Sequence, residues 1–240
     1  EICGQVFRYA IATGRGDRNP AADLLGALPV PPVKHRPAIT DRREFGVFLR
    51  DLAEFKAADS LTLLGARLAL LTFARSAELR GARWDEIDFD GSEWRIPAAR
   101  MKMAKGSNQA HIVPLSSQAV AVLRQLQALT GGVGYVLPSA SGADKTMSEN
   151  AIGLLLKRMG YKDRQTLHGL RASARSLLSE RGWSVAALER QLDHAERSKV
   201  VAAYARSEHL DERRRLMADW GGLCEALEAG GNVVPLTRAA

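Results

Sequence analysis

The chain has 240 residues, of which 46% are hydrophobic and 25% are charged, and its formal net charge is +7. This composition is typical of a globular protein with a basic bias, and it excludes collagen-like, disordered and disulfide-scaffold classes. The longest apolar stretch, residues 68–74, is far shorter than the ~20 residues that a membrane helix requires. Cys3 and Cys224 lie far apart without metal-ligand spacing, so we expect free thiols in a reducing compartment. The positive charge favours nucleic acid as the partner class.

The first part of the chain is predicted to hold only short helices before an extended connector. Helices are expected over residues 5–13 and 21–25, and both are too small to form a domain. The proline-rich residues 28–37 cannot continue a helix and are predicted to form a linker. The chain begins without a methionine, so we expect it to be part of a longer protein.

Two amphipathic helices and one short helix are predicted next. Thr40 fits the N-cap of the first helix, and Glu44 lies near the capping-box position. The apolar face of this helix carries Phe45, Phe48, Leu49 and Leu52. The second helix is expected over residues 60–73, where leucines recur at helical spacing, and the chain then turns through residues 75–79 into the short helix.

The middle of the chain changes from helical to strand periodicity. Residues 93–97 and 110–115 alternate as strands, and residues 100–108 between them are predicted to form a hairpin arm and turn. Residues 135–137 are expected to supply a third strand. Further helices are predicted over residues 116–129, 148–159, 166–180, 184–192 and 208–227, with breaks near Gly160, Gly182 and Gly221. The predicted fold is therefore mainly α with a small three-stranded antiparallel sheet, an α+β class.

The last predicted helix combines an apolar face with a run of three arginines. Its large apolar side chains are Leu210, Met217, Trp220, Leu223 and Leu227, and the basic run is Arg213-Arg214-Arg215. We expect the bulk of this helix to pack on its own domain.

Residues able to act on a phosphate recur in separate motifs. His168 and Arg171 are three residues apart, so they share one helical face. They are preceded by Arg75-Ser76-Ala77-Glu78-Leu79 and by Lys102 on the predicted hairpin, and they are followed by Leu192-Asp193-His194-Ala195 and Ala202-Ala203-Tyr204-Ala205. Each motif alone is weak evidence, but their order and number are informative.

In this order the motifs resemble the tyrosine recombinase (integrase) family. The family pattern is an Arg in R-x-x-E-L, a Lys on a β-hairpin, H-x-x-R, a His or Trp, and a nucleophilic Tyr further on. Residues 78–84, 100–103, 111–115 and 168–171 are similar to integrases of the satellite-prophage type, and the resemblance covers residues 5–227. It implies the tyrosine recombinase catalytic-domain fold and a site-specific recombinase that integrates or excises a mobile element through a 3′-phosphotyrosine.

The resemblance also implies the site residues. The catalytic set would be Arg75, Lys102, His168, Arg171, His194 and Tyr204, with Glu78 as a supporting residue that orients Arg75. Tyr204 would be the nucleophile and His168 its general base, while Lys102 would protonate the leaving 5′-oxygen. The two arginines would bind the non-bridging oxygens, for which planar guanidinium groups are well suited. Since these cations can stabilise the transition state and the tyrosyl ester conserves the bond energy, neither a metal, another cofactor nor ATP is expected.

Three departures from the family pattern bear on these assignments. Lys105, followed by glycine, resembles the form in which other members carry the catalytic lysine, so it remains an alternative to Lys102. Asp193 stands where the family more often has a small residue, and its carboxylate would either raise the basicity of His194 or repel phosphate. The resemblance also implies an arm-type domain and a core-binding domain before the catalytic domain, and we expect this chain to hold only the end of the core-binding domain.

The resemblance divides the chain into four parts. Residues 1–27 would be the C-terminal remnant of the core-binding helical domain, residues 28–38 a linker, residues 39–228 the catalytic domain, and residues 229–240 a tail. Expected partners are the double-stranded DNA of an attachment site, further copies in a homotetramer, and accessory DNA-bending or directionality proteins, in the cytoplasm and without a membrane. Two alternatives stay open: a catalytically inactive DNA-binding remnant, and a type IB topoisomerase-like nicking and rejoining enzyme.

Overall fold

A computed structural model describes residues 2–24, 26–27, 36–101, 110–193 and 209–230, and the chain divides into two compact units, Glu1–His35 and Arg36–Ala240. In the first unit, helix α1 (Ile2–Ala12) is followed by turns. The helix predicted over residues 21–25 is wrong for its described part, because residues 21–24 form turns. The Asn19 side chain accepts a hydrogen bond from the Ala21 N–H, and such local bonding competes with helix formation.

The second unit is mainly helical. Its described helices are α2 (Arg42–Glu54), α3 (Ser60–Thr72), α4 (Ser76–Arg80), α5 (Ser117–Thr130), α6 (Ala151–Arg158), α7 (Gly169–Glu180), α8 (Val185–Gln191) and α9 (Leu210–Glu228). Helix α9 packs against α2, α3 and α5, so it lies at the centre of the unit. There the Trp220 ring lies 5.7 Å from that of Phe45 and 5.4 Å from that of Phe73. Within the described ranges, none of the helices is both long and apolar enough to cross a bilayer.

Several predicted helix starts are corrected, since α1 begins at Ile2 and not at residue 5, and α6 at Ala151 and not at residue 148. The N-cap of α2 is Asp41 and not Thr40, because the Asp41 carboxylate accepts a hydrogen bond from the Glu44 N–H at 2.8 Å. Helix α7 begins at Gly169 and not at Thr166, whose hydroxyl instead accepts from the Gly169 N–H. The first turn of α7 is thereby placed beside residues 36–39, since the Thr166 N–H donates to the Pro37 carbonyl.

A three-stranded antiparallel sheet is present, as predicted, but its third strand is a different segment. Strand β2 (Glu93–Ile96) pairs with β1 (Ile87–Asp88) on one side and with β3 (His111–Pro114) on the other. Residues 135–137 are not part of it, because Tyr135 forms only an isolated bridge with Arg83 and the Val136 N–H donates to the Ala82 carbonyl. This segment packs beside the loop after α4, where Val136 is fully buried.

A second sheet was not predicted from the sequence. It is a hairpin of β4 (Pro138–Ser139) and β5 (Gly142–Thr146). The residues of β5 are small or polar and mostly exposed, so they lack the apolar alternation that marks a half-buried strand.

Of the three predicted glycine breaks, one is wrong. Gly160 and Gly182 have φ of +87° and +81° and follow the ends of α6 and α7, as predicted. Helix α9 instead runs straight through Gly221. A Cβ atom at this position would meet Gln118 Oε1 and would lie 2.7 Å from Ser116 Oγ, so glycine permits the close approach of α9 to the start of α5.

We therefore predict that Gly221→Ala destabilises the protein, by roughly 1–3 kcal/mol, the usual cost of overpacking a tight contact. The matched control is Gly222→Ala on the same helix, where a Cβ has nothing within 4 Å. This control is expected to gain about 0.5–1 kcal/mol from helix propensity. Urea unfolding of the two variants measures both free energies, and equal values would contradict the close approach.

Candidate active site

Arg75 lies directly before α4, and the Glu78 side chain hydrogen-bonds to both the backbone and the side chain of Arg75. The Glu78 carboxylate accepts from the Arg75 N–H through Oε2 and from Arg75 Nη1 through Oε1, each at 2.8 Å. Glu78 is only 4% exposed, so this ion pair is shielded from water on the carboxylate side. The structure thus places the predicted supporting residue in direct contact with the arginine that it was expected to orient.

The other side of the Arg75 guanidinium contacts the end of α8. Nη1 donates to the Asp193 carboxylate at 2.5 Å, and Nη2 donates to the carbonyl oxygens of Asp193 at 2.5 Å and of Leu192 at 3.4 Å. Burial alone would lower the pKa of Arg75, but the hydrogen bonds and charges of Glu78 and Asp193 outweigh it and raise that pKa. Asp193 has φ of +48°, a left-handed conformation that is uncommon for a non-glycine residue. Arg75 therefore connects α4 to the residue directly before His194.

Arg171 lies in the first turn of α7 and is held by backbone carbonyls. Its Nη1 donates to the Phe73 carbonyl and its Nη2 to the Leu192 carbonyl, and the residue is only 6% exposed. In the described ranges it forms no ion pair with a carboxylate. Burial, followed by the positive charge of Arg75, lowers the pKa of Arg171 to about 10. The two arginines are thus neighbours that share the Leu192 carbonyl as an acceptor.

Arg75, His168 and Arg171 line one cleft of about 780 Å³. His168 is exposed directly before the first residue of α7. The wall of the cleft also carries Arg36, Lys157 and Lys162, and Glu149 is the one acidic residue among its described lining. This arrangement can bind an anionic group with two fixed guanidinium groups and a histidine at hand.

The structure brings together Arg75, Glu78, His168 and Arg171, four of the residues named from the sequence. Lys102, its alternative Lys105, His194 and Tyr204 lie outside the described residues. The described chain reaches Met101 and Asp193 before these segments and continues at residues 110 and 209 after them.

Sequence inspection missed Arg213. Within the run Arg213-Arg214-Arg215, only Arg213 is buried, at 4% exposure. The helical period contained this signal, because position 213 lies three and four residues before Leu216 and Met217 and so falls on the apolar face. Its Nε donates to Gln191 Oε1 at 2.9 Å and its Nη2 to the Ile112 carbonyl at 2.5 Å.

The fold of this domain is that of tyrosine recombinase catalytic domains. Solved structures with this fold include a lambda integrase dimer bound to a COC′ core site, with a TM-score of 0.58 and 20% identity over 86% of this chain and 71% of that one. The Tn1549 transposon integrase in complex with circular intermediate DNA has a TM-score of 0.58 and 15% identity, over 89% of this chain and 75% of that one.

Residues 49–210 match the phage integrase family, and the chain belongs to this family. It is 45% identical to an integrase of Enterobacteria phage P4 over 90% of this chain and 51% of that protein. It is 36% identical to the prophage integrase IntA of Escherichia coli K12, over 96% of this chain and 54% of that protein. The chain thus spans about half the length of these relatives.

We predict that Glu78→Ala lowers the free energy of unfolding by about 2 kcal/mol. Removing one partner of a buried ion pair typically costs ~3–5 kcal/mol, and the partial exposure of Arg75 reduces this value. In the control Glu149→Ala, a 71% exposed carboxylate 3.8 Å from Arg80 is lost, and a change within about 0.5 kcal/mol is expected. Urea unfolding measures both, and equal losses would contradict a stabilising contact with Arg75.

Proposed function

We propose that this chain is the catalytic part of a site-specific DNA recombinase. It cleaves and rejoins double-stranded DNA through a 3′-phosphotyrosine intermediate and so integrates or excises a mobile element. The observation that supports this most directly is the convergence of Arg75, His168 and Arg171 on one basic cleft, in a chain that belongs to the phage integrase family.

The scissile phosphate occupies the cleft between the two arginines. Their guanidinium groups bind its non-bridging oxygens, and His194 donates a further hydrogen bond. The phosphorane formed during attack carries more negative charge than the ground state, so fixed cations stabilise it preferentially. Because Arg171 is desolvated and held by two carbonyls, its charge needs little reorganisation when the phosphate reacts.

The cleavage step is a transesterification in which atoms and charges balance. The Tyr204 hydroxyl gives its proton to His168, and its oxygen forms a bond with phosphorus. The bond between phosphorus and the 5′-oxygen breaks, and Lys102, or Lys105 in its place, protonates that oxygen. In the joining step a 5′-hydroxyl gives its proton to the lysine and its oxygen attacks the phosphotyrosine, while His168 returns a proton to the released Tyr204 oxygen. The ester conserves the bond energy, so ATP is not needed, and the cations of the site provide the charge stabilisation that a metal would otherwise supply.

The relatives support the proposed substrate and assembly. Structures with this fold include a lambda integrase dimer on a core site and a lambda integrase tetramer bound to a Holliday junction. By analogy, this chain acts on the double-stranded DNA of an attachment site as a homotetramer, with accessory DNA-bending or directionality proteins, in the cytoplasm. Residues 1–27 then belong to the core-binding domain, residues 28–38 form the linker, and residues 39–228 form the catalytic domain.

A nicked duplex that carries the attachment site, identified from the sequenced ends of the element, tests the proposed chemistry. Because the nicked strand loses a short fragment after cleavage, the covalent protein–DNA adduct accumulates and survives a denaturing gel. The wild-type protein is expected to form the adduct and Tyr204→Phe to form none. Tyr135→Phe is the control, since its ring contacts Arg83 outside the cleft. Absence of the wild-type adduct at low salt would refute the proposal.

Arg171→Ala is expected to lower the cleavage rate by at least ~10², the usual cost of losing one transition-state donor. Its affinity for the same DNA should change little, because many phosphate contacts contribute to binding. The control is Arg175→Ala on the exposed face of the same helix, where the side chain pairs with Glu189. Gel shift and adduct formation measure the two quantities, and equal losses in both would contradict a role in the transition state.

A further inference from the structure

Arg213 is a buried cation, and the charges of Asp193 and of the buried Glu93 act on it without forming an ion pair within the described ranges. Among the described residues its guanidinium group bonds to neutral oxygens, those of the Gln191 side chain and the Ile112 backbone, and no described carboxylate lies within ion-pair distance. Burial, followed by the charge of Arg190, lowers the pKa of Arg213 to about 10. Since a desolvated charge is costly, stability of the fold does not account for an arginine here.

The two acceptors of Arg213 lie beside the segments that carry the proposed chemistry. Ile112 belongs to β3, which follows the segment with Lys102 and Lys105. Gln191 ends α8 and lies three residues before His194. Arg213 itself lies nine residues after Tyr204. One side chain therefore fixes the distances between three pieces of chain that lead into or out of these segments.

His111 makes a second connection between β3 and α8. It is 4% exposed and hydrogen-bonds to the backbone of Gln191, while its Nδ1 atom has no hydrogen-bond partner among the described residues. Burial, followed by the charges of Arg213 and Arg190, lowers the pKa of His111 to about 3, so the imidazole is neutral. An apolar side chain would avoid the unsatisfied nitrogen, so the bond to Gln191 is what the imidazole supplies.

Gln191 is the common point of this cluster and also contacts the end of α3. Its Nε2 donates to the Thr72 carbonyl at 3.4 Å, three residues before Arg75. The side-chain oxygen of Gln191 accepts from Arg213, and its backbone bonds to His111. Movement of β3 relative to α8 and α9 would therefore break the bond of His111 to Gln191 and that of Arg213 to Ile112.

We propose that His111, Gln191 and Arg213 are positioning residues that dock the start of β3 on α8 and α9, and that protonation of the leaving 5′-oxygen by Lys102 or Lys105 depends on this docking. The inference rests on the proposed function, in which that lysine protonates the 5′-oxygen. Loss of the docking contacts therefore impairs protonation of the leaving group more than attack by the tyrosine.

Two otherwise identical nicked duplexes distinguish these steps, one with the natural 5′-oxygen at the scissile phosphate and one with sulfur in its place. In the second duplex the phosphorus–sulfur bond breaks, and the thiolate leaves with the electron pair and needs no proton, because a thiol has a pKa of only ~8.5. Arg213→Met keeps the length of the stem and removes the donors. Its adduct formation is expected to fall by ~10² or more on the oxygen substrate, within the range of general acid catalysis. On the sulfur substrate the fall should stay below about tenfold.

The matched control is Arg215→Met, which removes an exposed arginine of the same helix and should leave both rates within about twofold of wild type. Lys102→Met and Lys105→Met are measured in parallel. They show how much of the lost rate the sulfur substrate restores when the lysine itself is absent. Equal losses of Arg213→Met on both substrates, with the near-UV circular dichroism of the wild type, would overturn the inference.

His111→Leu keeps the inference testable if Arg213→Met does not fold. It removes one docking bond together with the unsatisfied nitrogen and leaves no charge unpaired. The same preference for the sulfur substrate is expected, with a loss of about tenfold on oxygen, and no preference would overturn the inference. If the wild type forms no adduct with either duplex, the proposed function fails. If it forms both adducts and the variants show no preference for sulfur, only the positioning cluster fails.

Discussion

The carbonyl oxygen of Leu192 accepts hydrogen bonds from two guanidinium groups, and the described part of the site is built around this shared acceptor. Arg75 and Arg171 repel one another, so the fold must supply negative charge to keep them together. Part of it comes from helix ends: Phe73 caps the C-terminus of α3 and Leu192 that of α8. Carbonyls at such ends have no partner within the helix, and the helix dipole gives them added negative character. The C-termini of α3 and α8 therefore meet where cations are needed.

Arg213, like Arg171, is held by neutral oxygen acceptors, but these lie on β3 and α8. It takes the Ile112 carbonyl from the sheet and the side chain of the last residue of α8. Neutral oxygens hold a guanidinium group in one orientation without cancelling its charge. A carboxylate partner would also orient the group, but it would cancel the charge. The charge that Arg171 retains stabilises the transition state of the proposed reaction. The fixed orientation of Arg213 keeps β3, α8 and α9 in place around it.

The helices of the second unit and the pairing of β2 with β3 followed from the sequence, because apolar residues recur there at periods near 3.6 and 2. The third strand did not. Residues 135–137 are a continuous apolar run, which periodicity cannot assign between a buried strand and a buried loop, and β1 is too short to show any period. At the site, motif order predicted that Arg75, Glu78, His168 and Arg171 would converge. The carbonyls that hold Arg171, and the burial of Arg213, depend on contacts between residues more than 20 positions apart, which no local pattern contains.

Because Asp193 pairs with Arg75, the residues that attract DNA differ from those that act on the scissile phosphate. Glu78 and Asp193 pair with Arg75 and offset its charge, and Arg171 keeps its charge but is buried, so these two arginines contribute little to the long-range attraction of a polyanion. Long-range attraction falls to the lysines of the cleft wall, Lys157 and Lys162, for which no ion-pair partner is found among the described residues. Such attraction is screened by salt, whereas the buried contacts of Arg171 are not. Ionic strength would therefore control the association rate of DNA, while the rate of strand cleavage in the bound complex stays nearly independent of it.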